Sequence, residues 1–149
     1  MSSVADLDVY GTNVTDEARA LAEAFWPGSL SIVVKASAAV PRLLARQDGT
    51  VALRVSASPV VAALLQVAKA PLICSGASVH GASAPVSFGQ VSRRIVDAAD
   101  IALDAGLGYE GEGFVTIVDC TAEEPRVLRE GVYSREDVDE ALGIETPLV

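Results

Sequence analysis

Residues 71–85 read PLICSGASVHGASAP, an apolar run passing into small residues, two glycines and the chain's single histidine. After a strand, such a stretch can offer backbone N–H groups as a small nest for an anion, because glycine permits close approach and uncommon dihedrals. The same composition suits a tight surface loop, and the residues alone leave both readings open. Arg54 lies inside the apolar run TVALRV. A guanidinium turned into an apolar interior is costly unless an anion meets it, whereas alternation with Leu53 and Val55 turns it to solvent. His80 has no partner at a spacing that suggests a catalytic triad, and reads as a solvent-facing loop histidine. Cys74 and Cys120 end apolar runs, as small core residues do. No CxxC or His/Cys spacing suggests a metal site, and a reduced, cytoplasmic chain is expected.

The 149 residues suit one domain with one substantial core. Half are hydrophobic and the mean hydropathy is +0.38, which excludes a disordered chain. The longest apolar runs, Val60–Leu65 and Leu30–Val34, are too short to span a bilayer. The opening MSSVADLDVYG has neither a basic start nor an apolar core, so no export signal is expected. A net charge of −9 and a pI near 4.4 argue against a domain that grips nucleic acid through its phosphates. Alanine and valine dominate and aromatics are few, which points to a core of small side chains.

Any such groups must be positioned by alternating strands and helices. TDEARALAEAFW (15–26) is amphipathic, with Thr15 as cap, Asp16 and Glu17 at its positive end, and Pro27–Gly28 as its stop. SLSIVVKAS reads as a strand, Val40–Ala45 as a short helix and Thr50–Val55 as a second strand. Ser58–Pro59 opens a helix running to about Lys69. Pro71–Cys74 reads as a short buried strand, and the S-x-x-Q of Ser87 to Gln90 as a capping box opening a helix over 88–98. Ile101–Leu103, Phe114–Cys120 and Arg126–Leu128 read as strands, Asp104–Gly113 as a turn, and Ser134 to about Leu142 as a closing helix. The alternation implies one α/β domain, and the crowded late strands imply that part of the sheet is antiparallel.

Four stretches in order, FWPGSLSIVVKAS (25–37), VALRVSASPVVAALL (51–65), PLICSGASVHGASAP (71–85) and FVTIVDCTAEEPRVLREGVYS (114–134), together resemble the YrdC-like domain family, which includes the threonylcarbamoyl-AMP synthases. The resemblance implies an open, twisted, mixed parallel and antiparallel sheet with flanking helices around a concave cleft. It implies a reaction of ATP, threonine and bicarbonate to threonylcarbamoyl-AMP and pyrophosphate, for N6-threonylcarbamoylation of adenosine 37 in tRNA. Mg2+ enters with ATP as substrate, and no tightly bound cofactor is expected.

Pro27, Gly28, Leu30 and Ser31 resemble the family's P-G-P-L-T element, and Arg54 the arginine of its R-x-P-x-H segment, with Ser56 and Ser58 in place of proline and histidine. Ser75, Gly76, Ala77, Ser78 and Gly81 align with T-S-A-N-x-S-G, so that Gly76 and Ser78 replace a serine and an asparagine that reach ATP phosphates and metal-bound groups. Thr116 is kept from S-T-V-V-D, with Val115 for its serine, and Arg129–Glu130–Gly131 matches R-x-G, whose arginine contacts nucleotide phosphates. The implied nucleotide-binding set is therefore Arg54, Ser75, Gly76, Ser78, Thr116 and Arg129, with no catalytic residue assigned.

The family's opening strands and K-x-R motif have no counterpart upstream of Thr15. A start assigned too late, a fragment, or a shortened member would each explain this. Exposed sheet edges then call for cover by a second copy or a partner chain. The substitutions at Ser56, Ser58, Gly76, Ser78 and Val115 imply reduced or lost synthase activity, because transition-state stabilisation needs a nearly complete set of contacts. Two other classes fit the residues: a non-catalytic module holding a nucleotide or RNA, and a structural subunit pairing with another chain.

Overall fold

The computed structural model describes residues 1–79, 81–105 and 114–144. The chain forms two compact units, one of residues 1–71 with 113–149 and one of residues 72–112. The first unit runs α1 (Asp6–Tyr10), β1 (Gly11–Thr12), α2 (Asp16–Phe25), β2 (Leu30–Ala36), β3 (Thr50–Leu53), α3 (Pro59–Ala68), β4 (Thr116–Asp119), β5 (Arg126–Arg129) and α5 (Arg135–Ala141). The second holds a 3-10 turn at Phe88–Gln90 and α4 (Arg93–Val96).

The first unit is built on β2. This strand pairs antiparallel with β1 and β3 and parallel with β4, which in turn pairs antiparallel with β5. Leu30, Ile32 and Val34 point to one face and join Leu7 of α1, Leu21 and Ala22 of α2, Val118 and Cys120 of β4 and its end, and Val138 of α5 in one buried cluster. Val33, on the other face, is buried as well. A run apolar on both faces is what a strand flanked on both sides requires. The mixed sheet with flanking helices is the architecture that the sequence resemblance implies. The core is made of leucine, isoleucine and valine more than of alanine.

Local signals with a capping side chain hold closely. Thr15 accepts from the N–H of Ala18, opening α2, whose Ala18, Leu21 and Ala22 face inward. Ser58 accepts from the N–H of Val61, with proline in the first turn of α3. Ser134 and Asp137 form a reciprocal capping box on α5. Helix α3 carries no charged side chain, yet Val60, Leu64 and Val67 are exposed along it and only Leu65 is buried.

Several expectations are corrected. Pro71–Cys74 is not a strand: it pairs with nothing in the sheet, Ile73 is 75% exposed and Cys74 is exposed rather than in the core. Ile101–Leu103 is likewise no strand of the sheet and is exposed. Three or four apolar residues carry no periodicity that separates a strand from an exposed segment. The helix over 88–98 breaks into the 3-10 turn and the four residues of α4. Ser87 makes no capping bond, and the Gln90 side chain instead accepts from the N–H of Val86. Val40–Ala45 is a single turn, closed by bonds from Leu44 and Ala45 N–H to the Pro41 carbonyl. The short α1 and β1 had no sequence signal. The Asp104–Gly113 turn lies largely outside the described residues, as does His80.

The two thiols differ. Burial, with Asp119 and Glu17 adding to it, pushes the Cys120 thiol from 9.0 up to about 12. The native protein is expected to expose one fast-reacting thiol, Cys74, to a disulfide reagent, with Cys120 reacting only on unfolding. The folded state keeps the Cys120 proton while the unfolded thiol ionises, so this contribution to stability is intact below pH 9.0 and falls as pH rises towards about 12. Denaturant titrations across that window should show a steeper loss for the native chain than for Cys120→Ala; equal slopes would contradict it.

Candidate functional site

The strand registers gather Arg54, Thr116 and Arg129 of the predicted groups at one end of the sheet. Leu30, at the start of β2, lies opposite Thr116, at the start of the parallel β4. Because β3 and β5 run antiparallel to their neighbours, they end where β2 and β4 begin: Leu53 pairs with Ile32, and Arg129 with Ile117. Gly28, Arg54, Thr116 and Arg129 therefore share that end. Lys35, paired with Thr12 and Thr50, lies at the opposite end.

Main-chain bonds hold this end together. The Gly28 N–H donates to the Val55 carbonyl at 2.9 Å, and the Thr116 N–H to the Ser29 carbonyl at 2.9 Å. A Cβ on Gly28 would collide with the Phe25 carbonyl oxygen and crowd the Tyr133 hydroxyl. The Phe25 and Tyr133 rings lie beside this glycine, with centroids 4.4 Å apart and a 45° tilt. The P-G element is thus more than a helix stop, since glycine is the residue that fits there.

Both arginines are anchored by their inner nitrogens. Arg54 donates from Nε to the Gly28 carbonyl at 2.8 Å, and its two terminal nitrogens make no hydrogen bond among the described residues. Arg129 donates from Nε and Nη2 to the Val115 carbonyl at 3.0 and 2.8 Å, leaving Nη1 unbonded among the described residues. Its guanidinium carbon lies 5.6 Å from the centre of the Phe114 ring. The ion pairs among the described residues are Arg19–Asp8, Arg93–Asp97 and Arg126–Asp119, so neither site arginine meets a carboxylate. Arg54 is neither sealed in an apolar interior nor simply solvated: it is half-buried with its head tied to a carbonyl. Permanently charged planar forks held this way bind and orient anions and stabilise developing negative charge.

Thr116 directs its hydroxyl to the turn that follows β5. It is fully buried, and its hydroxyl donates to the Tyr133 carbonyl at 2.7 Å while accepting from the N–H groups of Gly131 and Tyr133 at 3.0 Å each. Those three bonds use the hydroxyl completely. Ser75, Gly76 and Ser78 belong to the second unit, where Ser75 and Gly76 are exposed and Ser78 is half-buried. Gly76 does not adopt a positive φ; in that loop Gly81 does, at 81°. Among the described residues a Cβ on Gly76 would meet only the Ser78 hydroxyl, at an ordinary 3.6 Å. The glycine there is therefore not demanded by the backbone.

Phe114, Tyr133 and the Val115 carbonyl are the parts of this end that sequence reasoning missed. Phe114 and Tyr133 flank the matched motifs and had a signal as aromatics in a chain that has few; a carbonyl acceptor has none. A hollow of about 250 Å³, lined by Ser2, Asp6, Tyr10, Leu65 and Lys69–Pro71, contains none of the predicted groups. Among the described residues no cluster of His, Cys, Asp and Glu could hold a metal ion, and no helix is long and apolar enough to cross a membrane.

Residues 1–131 match the profile of the Sua5/YciO/YrdC family, described as telomere recombination. A Mycobacterium tuberculosis protein provisionally named threonylcarbamoyl-AMP synthase is 39% identical over 133 residues, covering 89% of this chain and 60% of that protein. The threonylcarbamoyl-AMP synthase of Pyrococcus abyssi is 29% identical over 146 residues, covering 96% of this chain and 42% of its own. The chain thus spans between about two fifths and three fifths of the length of these relatives. The crystal structure of P. abyssi Sua5 complexed with L-threonine superposes with a TM-score of 0.88, at 29% identity over 96% of this chain and 42% of that one. Escherichia coli YciO shares the fold, with a TM-score of 0.82 at 24% identity, over 93% of this chain and 66% of its own. With the four motifs in order, the mixed sheet they build and a profile match across most of its length, the chain belongs to the Sua5/YciO/YrdC family.

Proposed function

We propose that this chain binds the phosphates of ATP and acts as a threonylcarbamoyl-AMP synthase of reduced turnover. The observation that carries the reading is the pair of guanidinium groups, Arg54 and Arg129, anchored through Nε to main-chain carbonyls at one end of the sheet and paired with no carboxylate among the described residues. In the proposed reaction the threonine amine attacks bicarbonate carbon with loss of water. The resulting carbamate oxygen then attacks the α-phosphorus of ATP, and the bond to pyrophosphate breaks. The arginines supply charge and orientation, and the Mg2+ arrives with the nucleotide. The product's use is N6-threonylcarbamoylation of adenosine 37 in tRNA. Ser75, Gly76 and Ser78 are proposed as further nucleotide contacts on their resemblance to the family's loop. The missing side chain at Gly76 and the short one at Ser78 are the reason for the reduced turnover.

Pyrophosphate release from the full chain with ATP is expected to require both threonine and bicarbonate. Arg129→Ala should weaken ATP binding by about tenfold or more, the scale of one charge-assisted hydrogen bond. ATP binding without pyrophosphate release would make the chain a nucleotide-holding module, and the absence of both would overturn the reading. Because a side chain fits at position 76, Gly76→Ser with Ser78→Asn is expected to leave the melting temperature unchanged and raise ATP affinity by about tenfold. Unchanged affinity in a folded double variant would remove this loop from the site.

A further inference from the structure

We propose that Thr116 is the positioning residue of Arg129, acting through the turn that follows β5 and making no contact with ligand. The inference deepens the phosphate-binding reading and, in its nucleotide arm, rests on it. Residues 129–133 leave the sheet beside the start of β4. Three bonds from one buried hydroxyl pin that turn at Gly131 and Tyr133. A fourth, from the Val132 N–H to the Phe114 carbonyl at 2.9 Å, closes the turn against the residues before β4. A Cβ on Gly131 would collide with the Phe114 carbonyl oxygen and lie 2.8 Å from the Thr116 nitrogen, so the turn approaches β4 as closely as a backbone can.

The same two segments carry the arginine. Arg129 begins the turn, and its guanidinium reaches back to the carbonyl of Val115, the residue immediately before Thr116. Donor and acceptor are thus fixed relative to each other by the Thr116 hydroxyl, which ties the chain carrying the guanidinium to the chain carrying the carbonyl. The strand pairing alone is a weak guide here, because the β4–β5 register shifts between Ile117 and Val118. A bulge there leaves the end of β5 free to choose its course. The hydroxyl makes that choice, and so sets where the unbonded Nη1 of Arg129 points. Valine at 116 keeps the volume and removes the donor and both acceptor interactions, whereas serine keeps the hydroxyl and drops only the methyl.

The test has two arms. In the ligand-free protein, the Arg129 Nε–H should exchange slowly with solvent in the native chain and in Thr116→Ser, and at least several-fold faster in Thr116→Val, with the Arg54 Nε–H unchanged as an internal control. Equal Arg129 exchange in native and Thr116→Val protein, or fast exchange in Thr116→Ser, would overturn the proposal; the serine variant decides the matter if the valine variant does not fold. With ATP as probe, Thr116→Val should lower affinity about tenfold in the native background and less than about twofold in Arg129→Ala, because a residue that acts only through Arg129 has nothing left to act on. Equal losses in both backgrounds would show Thr116 acting on ATP independently. A chain that binds no ATP would sink the phosphate-binding reading while the exchange arm still decides the role of Thr116.

Discussion

The parallel pairing of β2 with β4 is the constraint from which the rest of the first unit follows. Placing Leu30 opposite Thr116 sets Gly28 and Ser29 beside the start of β4. Since β3 and β5 hang antiparallel from these two strands, their ends return to the same place. A slip of one residue would turn Leu30, Ile32 and Val34 out of the core, so burial of this face holds the register firmly. The position of the two arginines is therefore a by-product of hydrophobic burial several residues away. The site inherits its geometry from the core rather than from contacts among its own charged groups.

Electrostatics sharpen this dependence. The chain carries a net charge of −9, which repels an anion at long range and lowers its rate of encounter. Any attraction has to come from short-range, directional donors. Surface pairing of the kind seen between Arg93 and Asp97 would neutralise such donors. At the end of the sheet the acceptors facing the arginines are instead carbonyl dipoles, which orient a guanidinium without cancelling its charge. Half-burial of Arg54 strengthens its field by keeping part of it away from water.

How much could be read from the sequence varied with the physical origin of each feature. Helices α2, α3 and α5 were legible because each announces itself with a serine or threonine cap, and α2 adds an apolar spacing that packing then uses. β2 and β4 were legible as β-branched runs. The second unit was not: its apolar tripeptides and tetrapeptides are short, and its apparent capping box at Ser87 is undone when Gln90 turns to Val86. Of the candidate site, the identities of Arg54 and Arg129 could be read, but not their anchoring, because the acceptors are the carbonyls of Gly28 and Val115. Thr116 could be read as a letter of a motif, but the internal bonds of its hydroxyl could not, because their partners are main-chain groups of Gly131 and Tyr133.

The close approach at Gly131 bears on how such motifs are interpreted. The letter after Arg129 and Glu130 is dictated by a carbonyl group two strands' width of space cannot spare. A descendant that keeps this scaffold must go on spelling glycine there whether or not it turns over a single substrate molecule. Lettering of that sort is a signature of architecture, and counting it again as testimony for catalysis weighs one fact twice.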